Sequence, residues 1–294
     1  MTMPRRTPMS ALEEFGEILF PDDALEPILA GSTRQALLAW LEEIWSKDDL
    51  KAVGLKPRTK CLLKGPPGCG KTTLAHHLAQ RLDVPMAVIE AQRLRSKWVN
   101  QTGMQIGAMF DAAARWGGIL FIDEFDSIGG NRIEQTSAAS GEHNHSVNTV
   151  LRKLEAHEGI VIAATNLSEN LDPAVWRRFE LQIDIDFPDQ VARERILNMY
   201  LSPYGVSQSA LTALARDCKG ATPALLKELC EGMKRSLVLG ERLKWDMSID
   251  AVLERILLTC QPHPDLTTPA LWTMGGRSRG AQDLDWPLEL EGRA

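Results

Sequence analysis

The chain has 294 residues, and 44% of them are hydrophobic, which is enough to build one large domain or two smaller ones. Its net charge of −6 argues mildly against a protein whose main task is to grip a phosphate backbone, although a local basic ring would be compatible with it. No apolar run reaches the roughly 18–20 residues that span a bilayer, and no secretory signal is predicted. The five cysteines form no CxxC pair, which favours a reducing, cytoplasmic setting.

The first half of the chain predicts an α/β domain. Residues 1–32 are interpreted as a short leader rich in proline and acidic residues, and residues 33–50 predict a helix from their apolar spacing. Apolar strands and helices then alternate up to residue 187, which is typical of a parallel sheet with helices on both faces. The predicted strands are 61–64, 86–89, 118–122, 159–164 and 181–185, and the predicted helices between them include 72–82 and 105–116.

The pattern changes after residue 187. Residues 188–260 show helical periodicity with no convincing strand, and predict a small all-α domain. Residues 261–294 form a tail with several Pro and Gly residues. Trp272 and Trp286 favour a tail that docks on its own domain over one that docks on a partner.

A glycine-rich loop follows the first predicted strand and matches the pattern G-x-x-x-x-G-K-[ST]. Its glycines let backbone N–H groups approach phosphates, and the helix after it adds its positive end. In this pattern Lys71 reaches the β- and γ-phosphates, and the Thr72 hydroxyl binds Mg²⁺. The predicted nucleotide-binding residues of this segment are Gly65, Pro66, Pro67, Gly68, Cys69, Gly70, Lys71, Thr72 and Thr73.

Two carboxylates end the apolar strand at 118–122. Ligands bind at the carboxyl ends of strands in open α/β sheets, so Asp123 and Glu124 are predicted to lie beside the phosphates. Asp123 is expected to hold Mg²⁺, and Glu124 is expected to polarise the attacking water. Together with the loop, they predict ATP hydrolysis.

Four stretches carry a resemblance to a known family. They read GPPGCGKTTLAHHLA, ILFIDEFDSIG, IVIAATNLSENLDPAVWRRFELQIDIDFPD and SKWVNQT. Together they resemble AAA+ ATPases, and most of all the AAA branch proper, which includes unfoldases, microtubule-severing enzymes and orphan single-domain ATPases. The resemblance covers residues of about 50–260. It implies a P-loop NTPase sheet followed by an all-α lid, with ATP and Mg²⁺ as cofactors and a homo-hexameric ring.

The resemblance also implies roles for three residues beyond the loop. Asn166 stands where the family keeps a polar sensor of the γ-phosphate and the attacking water. Arg177 and Arg178 stand where the family has arginine fingers that reach a neighbouring subunit's ATP. The segment starting at Thr222 matches a helix start that packs near the base of the nucleotide in this family. Thr222 followed by proline is also an ordinary N-cap.

The resemblance implies that the segment around Trp98 faces a central pore. Lys97, Trp98 and Val99 would grip an extended polypeptide, since an aromatic ring holds a chain by contact area. The alternative is a Trp98 buried between helices. The sequence departs from the family at Asn100 and Gln101, where Gly and Glu are usual, and at Cys69, where Thr is usual. It also departs at Asn144 and His145, in the region of a second pore loop that usually carries basic residues.

The letters HNH at residues 143–145 suggest a nuclease or a metal site. No Cys/His cluster with zinc spacing surrounds them, and a polar loop explains them. His76 and His77 lie on the predicted helix after the phosphate loop, and no role is assigned to them.

These observations predict a Mg²⁺-dependent ATPase ring that threads or remodels protein. The motif H-E-x-x-H is missing, and the letters G-x-S-x-G at residues 276–280 lie in the tail and follow no predicted strand, so any proteolysis would need a separate partner, and an adaptor, the leader or the tail would choose the substrate. One alternative is a DNA-directed AAA+ loader or transposition adaptor, and another is an ATP-binding scaffold without motor activity. The sequence names neither the substrate nor the pathway.

Overall fold

The computed structural model of the protein describes residues 7–94, 101–132, 138–275 and 279–290, without the side chains of 138–140 and 279. The chain divides into two compact units. The first contains the chain up to Pro27, Gly31–Gly65 and Lys71–Ile185, and the second contains Ile28–Ala30, Pro66–Gly70 and the chain from Asp186 onward. None of the helices within these described ranges is both long and apolar enough to cross a membrane.

The first unit is built on a six-stranded sheet in the order β1-β3-β4-β5-β2-β6. All neighbouring pairs are parallel except the antiparallel edge pair of β1 and β3. Each strand predicted from an apolar run is present within two residues of its expected position. The strands are β1 (Gly16–Leu19), β2 (Lys60–Lys64), β3 (Met86–Glu90), β4 (Ile119–Asp123), β5 (Val161–Thr165) and β6 (Leu181–Asp184).

Both faces of the sheet are covered, as the near-continuous apolar strands predict. Leu120 and Ile122 of β4 belong to the main apolar core, and Phe121 between them, which points to the opposite face, is equally buried. The helices of this unit are α1 (Pro8–Leu12), α2 (Gly31–Trp45), α3 (Lys47–Ala52), α4 (Lys71–Arg81), α5 (Thr102–Trp116), α6 (Asp126–Gly129), α7 (Ala138–Ala156) and α8 (Pro173–Trp176). The prediction of a parallel α/β sheet followed by a helical part is confirmed.

The predicted leader contains two elements that the sequence did not reveal. Helix α1 buries Leu12 completely in the main core, and β1 pairs with β3 from Gly16↔Ile89 to Leu19↔Met86. A four-residue strand is too short to show a clear alternation of apolar and polar residues. Its existence depends on the free edge of β3, which only the tertiary structure supplies.

The HNH letters lie on a helix, so the prediction of a polar loop at residues 143–145 is wrong. The expectation that Asn144 and His145 lie in a second pore loop is also wrong, because both residues lie within α7. Serine, asparagine and histidine are weak helix formers. Farther along α7, Val147, Val150 and Leu154 are fully buried in the main core, and this packing overrides the weak local preference.

The second unit is helical over its described residues, apart from an isolated bridge between Tyr204 and Leu290. Its longest helix starts as predicted, because the Thr222 hydroxyl accepts a hydrogen bond from the N–H of Leu225 at 3.3 Å and proline follows. The helices are α9 (Gln190–Leu201), α10 (Gln208–Asp217), α11 (Pro223–Leu243), α12 (Ile249–Thr259), α13 (Ala270–Thr273) and α14 (Arg279–Gln282).

The described part of the tail packs on this helical unit. The indole N–H of Trp272 donates to the carbonyl of Cys260 at 2.6 Å, and that of Trp286 donates to the carbonyl of Met247 at 2.8 Å. Leu271 is completely buried in the same core as the helices. The two tryptophans therefore anchor the tail on its own unit.

Candidate functional site

Three neighbouring strands bring the candidate site residues to one edge of the sheet. Strands β4, β5 and β2 are adjacent and parallel, so their carboxyl ends lie side by side. Asp123 ends β4, Asn166 directly follows β5, and Gly65 directly follows β2. Backbone hydrogen bonds join these ends, since Gly65 N donates to Thr165 O at 3.3 Å and Phe125 N donates to Ala164 O at 2.9 Å.

The loop after β2 needs its glycines. Gly65, Gly68 and Gly70 all have positive φ, at 149°, 76° and 90°. A Cβ on Gly65 would also stand 2.0 Å from the carbonyl oxygen of Ile185, so any other residue would push the loop off β6. This backbone is the one that the pattern G-x-x-x-x-G-K-[ST] predicts.

Lys71, the first residue of α4, is buried and joins two parts of the site. Its ammonium group donates to the carbonyl of Gly65 at 2.7 Å and to Oδ1 of Asn166 at 2.5 Å. Only 7% of Lys71 is exposed, and a buried ammonium needs such acceptors. The structure therefore brings together the predicted loop lysine and the predicted sensor across 95 residues of sequence.

Thr72 and Asp123 form the second cluster of the site. The Thr72 hydroxyl donates to Oδ2 of Asp123 at 3.3 Å, and Oδ1 of Asp123 accepts the backbone N–H of Glu124 at 2.9 Å. A hydroxyl and a carboxylate are hard oxygen ligands, and Mg²⁺ in nucleotide sites needs only one or two protein ligands besides phosphates and water. The donor set therefore fits Mg²⁺. Elsewhere in the described residues, no group of three or more His, Cys, Asp or Glu side chains could hold a metal.

Glu124 has an unusual backbone and a partner that sequence reasoning missed. Its φ is +50°, in the left-handed region that few residues other than glycine adopt, and its side chain is exposed. The amide of Gln92 donates a short hydrogen bond to the Glu124 carboxylate. Gln92 comes two residues after β3, which is the strand beside β4. Its position just after a predicted strand was the signal in the sequence that could have placed it at the same sheet edge as Glu124.

The tip of the loop, Pro66–Gly70, belongs to the second unit. There the N–H of Ala224, in the first turn of α11, donates to the carbonyl of Gly68 at 3.2 Å. Beside this contact lies a cavity of about 260 Å³, and its lining includes Pro67, Leu225 and the tail residue His263. Within this unit, the tail therefore approaches the loop tip.

The two candidate arginines follow α8 and differ in their surroundings. Arg178 is half-buried and forms an ion pair with Glu155 of α7. Arg177 is exposed and pairs with no carboxylate of the described residues. Within the described chain, neither arginine makes a hydrogen bond to Lys71 or Asp123, so the structure does not bring them into the cluster around the loop.

The predicted substrate-gripping residues Lys97, Trp98 and Val99 lie outside the described residues, as does Asn100. On one side of this segment stands a 3₁₀ turn at Ala91–Leu94, and on the other side α5 begins at Thr102.

Comparison with known proteins identifies the nucleotide-binding part of the chain. Residues 61–187 match the model of the ATPase family associated with various cellular activities (AAA). The matched segment contains every site residue described above in the first unit, from Gly65 to Arg178.

Three relatives illustrate the similarity. The chain is 34% identical over 195 residues to an uncharacterized AAA family ATPase, y4kL, of Sinorhizobium fredii, covering 64% of this chain and 58% of the relative. It is 33% identical over 184 residues to the proteasome-activating nucleotidase of Pyrococcus horikoshii, covering 60% and 46%. It is 32% identical over 198 residues to the ATP-dependent zinc metalloprotease FtsH of Lachnoclostridium phytofermentans, covering 64% and 34%. The chain thus spans between about a third and three fifths of the length of these relatives.

Proposed function

Because residues 61–187 of this chain form a domain of the AAA ATPase family, we propose that the protein hydrolyses ATP and uses the energy to thread or remodel protein substrates. The observation that carries the proposal is the convergence on Lys71, whose ammonium group holds the loop carbonyl of Gly65 and the side chain of Asn166. That arrangement holds the positive charge of Lys71 beside the loop whose pattern is typical of phosphate binding.

In the proposed reaction, the loop binds the phosphates through backbone N–H groups and Lys71 neutralises the β- and γ-phosphates. Thr72 and Asp123 would hold Mg²⁺, which would neutralise charge that develops on the transferred phosphoryl group. Their mutual hydrogen bond pre-arranges both oxygens for that task. Phosphoryl transfer depends on positioning and charge neutralisation more than on covalent chemistry, and these residues provide both.

Glu124 is proposed as the base that polarises the attacking water, and Asn166 as the group that orients it. Glu124 is exposed at the sheet edge, where water reaches it, and Gln92 holds one of its carboxylate oxygens. Arg177 and Arg178 are proposed to act on the ATP of a neighbouring copy. The exposed, unpaired guanidinium of Arg177 among the described residues suits that task, whereas Glu155 orients Arg178 within its own chain.

The proposed substrate is protein. Two of the relatives are named a proteasome-activating nucleotidase and a metalloprotease, and this supports an unfoldase-type role. The residues proposed to grip the substrate are Lys97, Trp98 and Val99, in a homo-hexameric ring in the cytoplasm. A separate protease or an adaptor would complete the activity.

Two other functions compete with this proposal. A DNA-directed AAA+ loader or adaptor would need a phosphate-binding surface, which the net charge of −6 does not favour. A scaffold that binds ATP without turnover would not need Glu124 beside Asp123. The three functions are separated by measuring the ATPase activity of the protein by itself, in the presence of casein, and in the presence of duplex DNA. Stimulation by casein supports remodelling, stimulation by DNA supports the loader, and an absence of turnover supports the scaffold.

The sharpest test of the proposal is Trp98→Ala. We expect basal ATPase activity and the melting temperature to stay unchanged, because the residue is proposed to touch neither nucleotide nor core. Stimulation by casein should disappear, and Trp98→Tyr should restore it, since grip depends on a flat apolar face. Trp45→Ala is the matched control, because Trp45 is half-exposed on α2 and outside the proposed pore.

The opposite outcome is equally clear. Replacing a buried tryptophan by alanine costs about 3–5 kcal/mol, which is a large part of the stability of a domain. A Trp98→Ala protein that melts many degrees lower and loses basal and stimulated activity together would assign Trp98 to the core and contradict the proposed role.

A further inference from the structure

A buried carboxylate holds the short helix that precedes the two candidate arginines. Asp172 is only 6% exposed and occupies the N-cap position of α8. Its Oδ1 accepts the backbone N–H of Ala174 at 2.8 Å and that of Val175 at 3.4 Å. Its Oδ2 lies 3.2 Å from Nε of Arg132. A buried charge needs such partners, so one side chain ties Arg132 to the start of α8.

The backbone joins the same two parts of the chain. Three contacts connect residues 129–131 to residues 170–172, and all of them use main-chain groups. They are the antiparallel bridge of Gly130 with Leu171, the hydrogen bond from Asn131 N to Asn170 O at 2.7 Å, and that from Asp172 N to Gly129 O at 3.0 Å. Because α6 begins three residues after Asp123, these contacts fix the start of α8 to the segment that follows the carboxyl end of β4.

The other end of α8 is held by apolar packing. Val175 is completely buried, and the ring of Phe179 packs edge-on against Phe125 at 5.3 Å between centroids. Arg177, the C-cap residue of α8, stands between these two anchors. A helix of four residues is not stable by itself. The direction in which Arg177 leaves the helix therefore depends on the apolar anchors and on the cap that Asp172 provides.

We propose that Asp172 and Arg132 are positioning residues for the arginine finger Arg177, an inference that rests on the proposed function. Arg132 balances the charge of the buried carboxylate, and the carboxylate caps α8. The capped helix then sets where the exposed guanidinium of Arg177 stands. Loss of the pair should consequently impair hydrolysis in the site of a neighbouring copy, while the loop of the altered chain stays intact.

The first measurement removes the charge from each side of the pair. Arg132→Gln changes an exposed side chain, and Asp172→Asn leaves an amide oxygen that still accepts the N–H groups of the cap. We expect each variant to bind ATP as the wild type does and to hydrolyse it roughly ten- to hundredfold more slowly, the scale for a catalytic group displaced by about 1 Å. Arg132→Lys keeps the charge and should retain most of the activity. Arg115→Gln, at an exposed arginine of α5, is the matched control.

Mixing the variants shows which copy of the chain carries the defect. Arg132→Gln mixed with Lys71→Ala should regain activity, because some interfaces then pair the intact loop of the first with the intact arginines of the second. The same variant mixed with Arg177→Ala should regain none, since both copies then carry a defective finger. Each mixture is compared with its two components at the same total concentration. A rescued variant must be folded and assembled, so rescue distinguishes positioning from a merely structural contact.

The outcomes separate this inference from the proposed function. Rescue of Arg132→Gln by Arg177→Ala, and not by Lys71→Ala, overturns the inference because it assigns Arg132 to the site of its own chain. Hydrolysis at the wild-type rate, or a loss that neither mixture rescues, overturns it as well. The proposed finger is checked on its own by mixing Arg177→Ala with Lys71→Ala. Failure of that rescue contradicts fingers that act between copies, and this inference falls with them.

Discussion

At the scale of single residues, the site depends on a few side chains whose partners come from distant parts of the chain. Lys71 reaches Asn166, Thr72 reaches Asp123, and Gln92 reaches Glu124. Each contact joins two strand ends of the sheet or the helix that follows one. The residues proposed for chemistry are therefore held at the carboxyl ends of the strands of the first unit.

The residue-scale prediction concerns Glu124→Gln. The amide keeps the size of the side chain but cannot accept a proton from water, so turnover should fall by roughly two orders of magnitude or more while ATP binding persists. Binding is measured with a fluorescent ATP analogue, and turnover by phosphate release. Glu254→Gln, an exposed change on α12, should behave as wild type. Near-normal hydrolysis by Glu124→Gln would exclude Glu124 as the base.

At the scale of elements, the edge of the sheet depends on β1. Gly16 begins this strand, and a Cβ there would stand 1.8 Å from the carbonyl oxygen of Val88 on β3. The strand also closes an edge that would otherwise expose unpaired backbone groups.

We therefore predict that Gly16→Ala lowers the free energy of unfolding by about 1–3 kcal/mol, the usual cost of overpacking. Chemical denaturation monitored by circular dichroism measures the change. Glu17→Ala, at the next and exposed position of β1, is the matched control and should have little effect. If Gly16→Ala and Glu17→Ala were equally stable, β1 would not be held against β3 as the structure describes.

The C-terminal end of α7 carries a pH-sensitive contact. His157 is buried, with its ring packed edge-on against Phe110 at 5.7 Å between centroids. Burial lowers the pKa of His157 below its ordinary value, and the nearby charge of Lys60 lowers the pKa further. The unfolded chain, in which histidine titrates near 6.5, thus binds a proton more readily than the folded chain.

The sign of the effect follows from this difference. Above the unfolded pKa neither state is protonated at His157, and the residue contributes no pH dependence. As the pH falls through about 6.5 toward the lower folded pKa, protonation favours the unfolded state and stability is lost. We predict that acidification from pH 7.5 to 5.5 destabilises the wild-type protein more than the His157→Gln variant in parallel denaturant titrations. Equal losses in both proteins would contradict a contribution from His157.

At the scale of the whole molecule, the proposed ring makes each site depend on two copies of the chain. The described residues place the exposed Arg177 outside the cluster around Lys71. If Arg177 acts on a neighbouring ATP, the copies are arranged head to tail, and such an arrangement forms a ring when the rotation between copies closes.

Mixing inactive variants tests this directly. Arg177→Ala and Arg178→Ala should each bind ATP and hydrolyse it on the order of 10³-fold more slowly, the scale of an arginine finger. Mixing either variant with Lys71→Ala should restore some activity, because some interfaces then pair an intact loop with intact arginines. The variants alone, at the same total concentration, are the controls. Failure of rescue, together with a specific activity that does not change on dilution, would contradict fingers that act between copies.

The sequence by itself determined the parts of this protein whose signals are local. The glycines of the phosphate loop, the apolar strands and the Thr222 cap of α11 each depend on a few neighbouring residues, and the structure has them where the patterns predict. The carboxyl ends of parallel strands share one edge of a sheet, so the contacts of Lys71 with Asn166 and of Thr72 with Asp123 could also be anticipated.

Only the tertiary structure decided the contacts that join elements with no common pattern. The helix at HNH forms because α7 packs on α5, and β1 forms because β3 has a free edge. Gln92 meets Glu124 across 32 residues and Thr102 meets Glu142 across 40 residues. These residues are unremarkable polar side chains in sequence. They become partners because packing of the apolar core brings their backbones together. The burial energy that drives this packing is a sum over the whole core, so no short window of sequence reveals it.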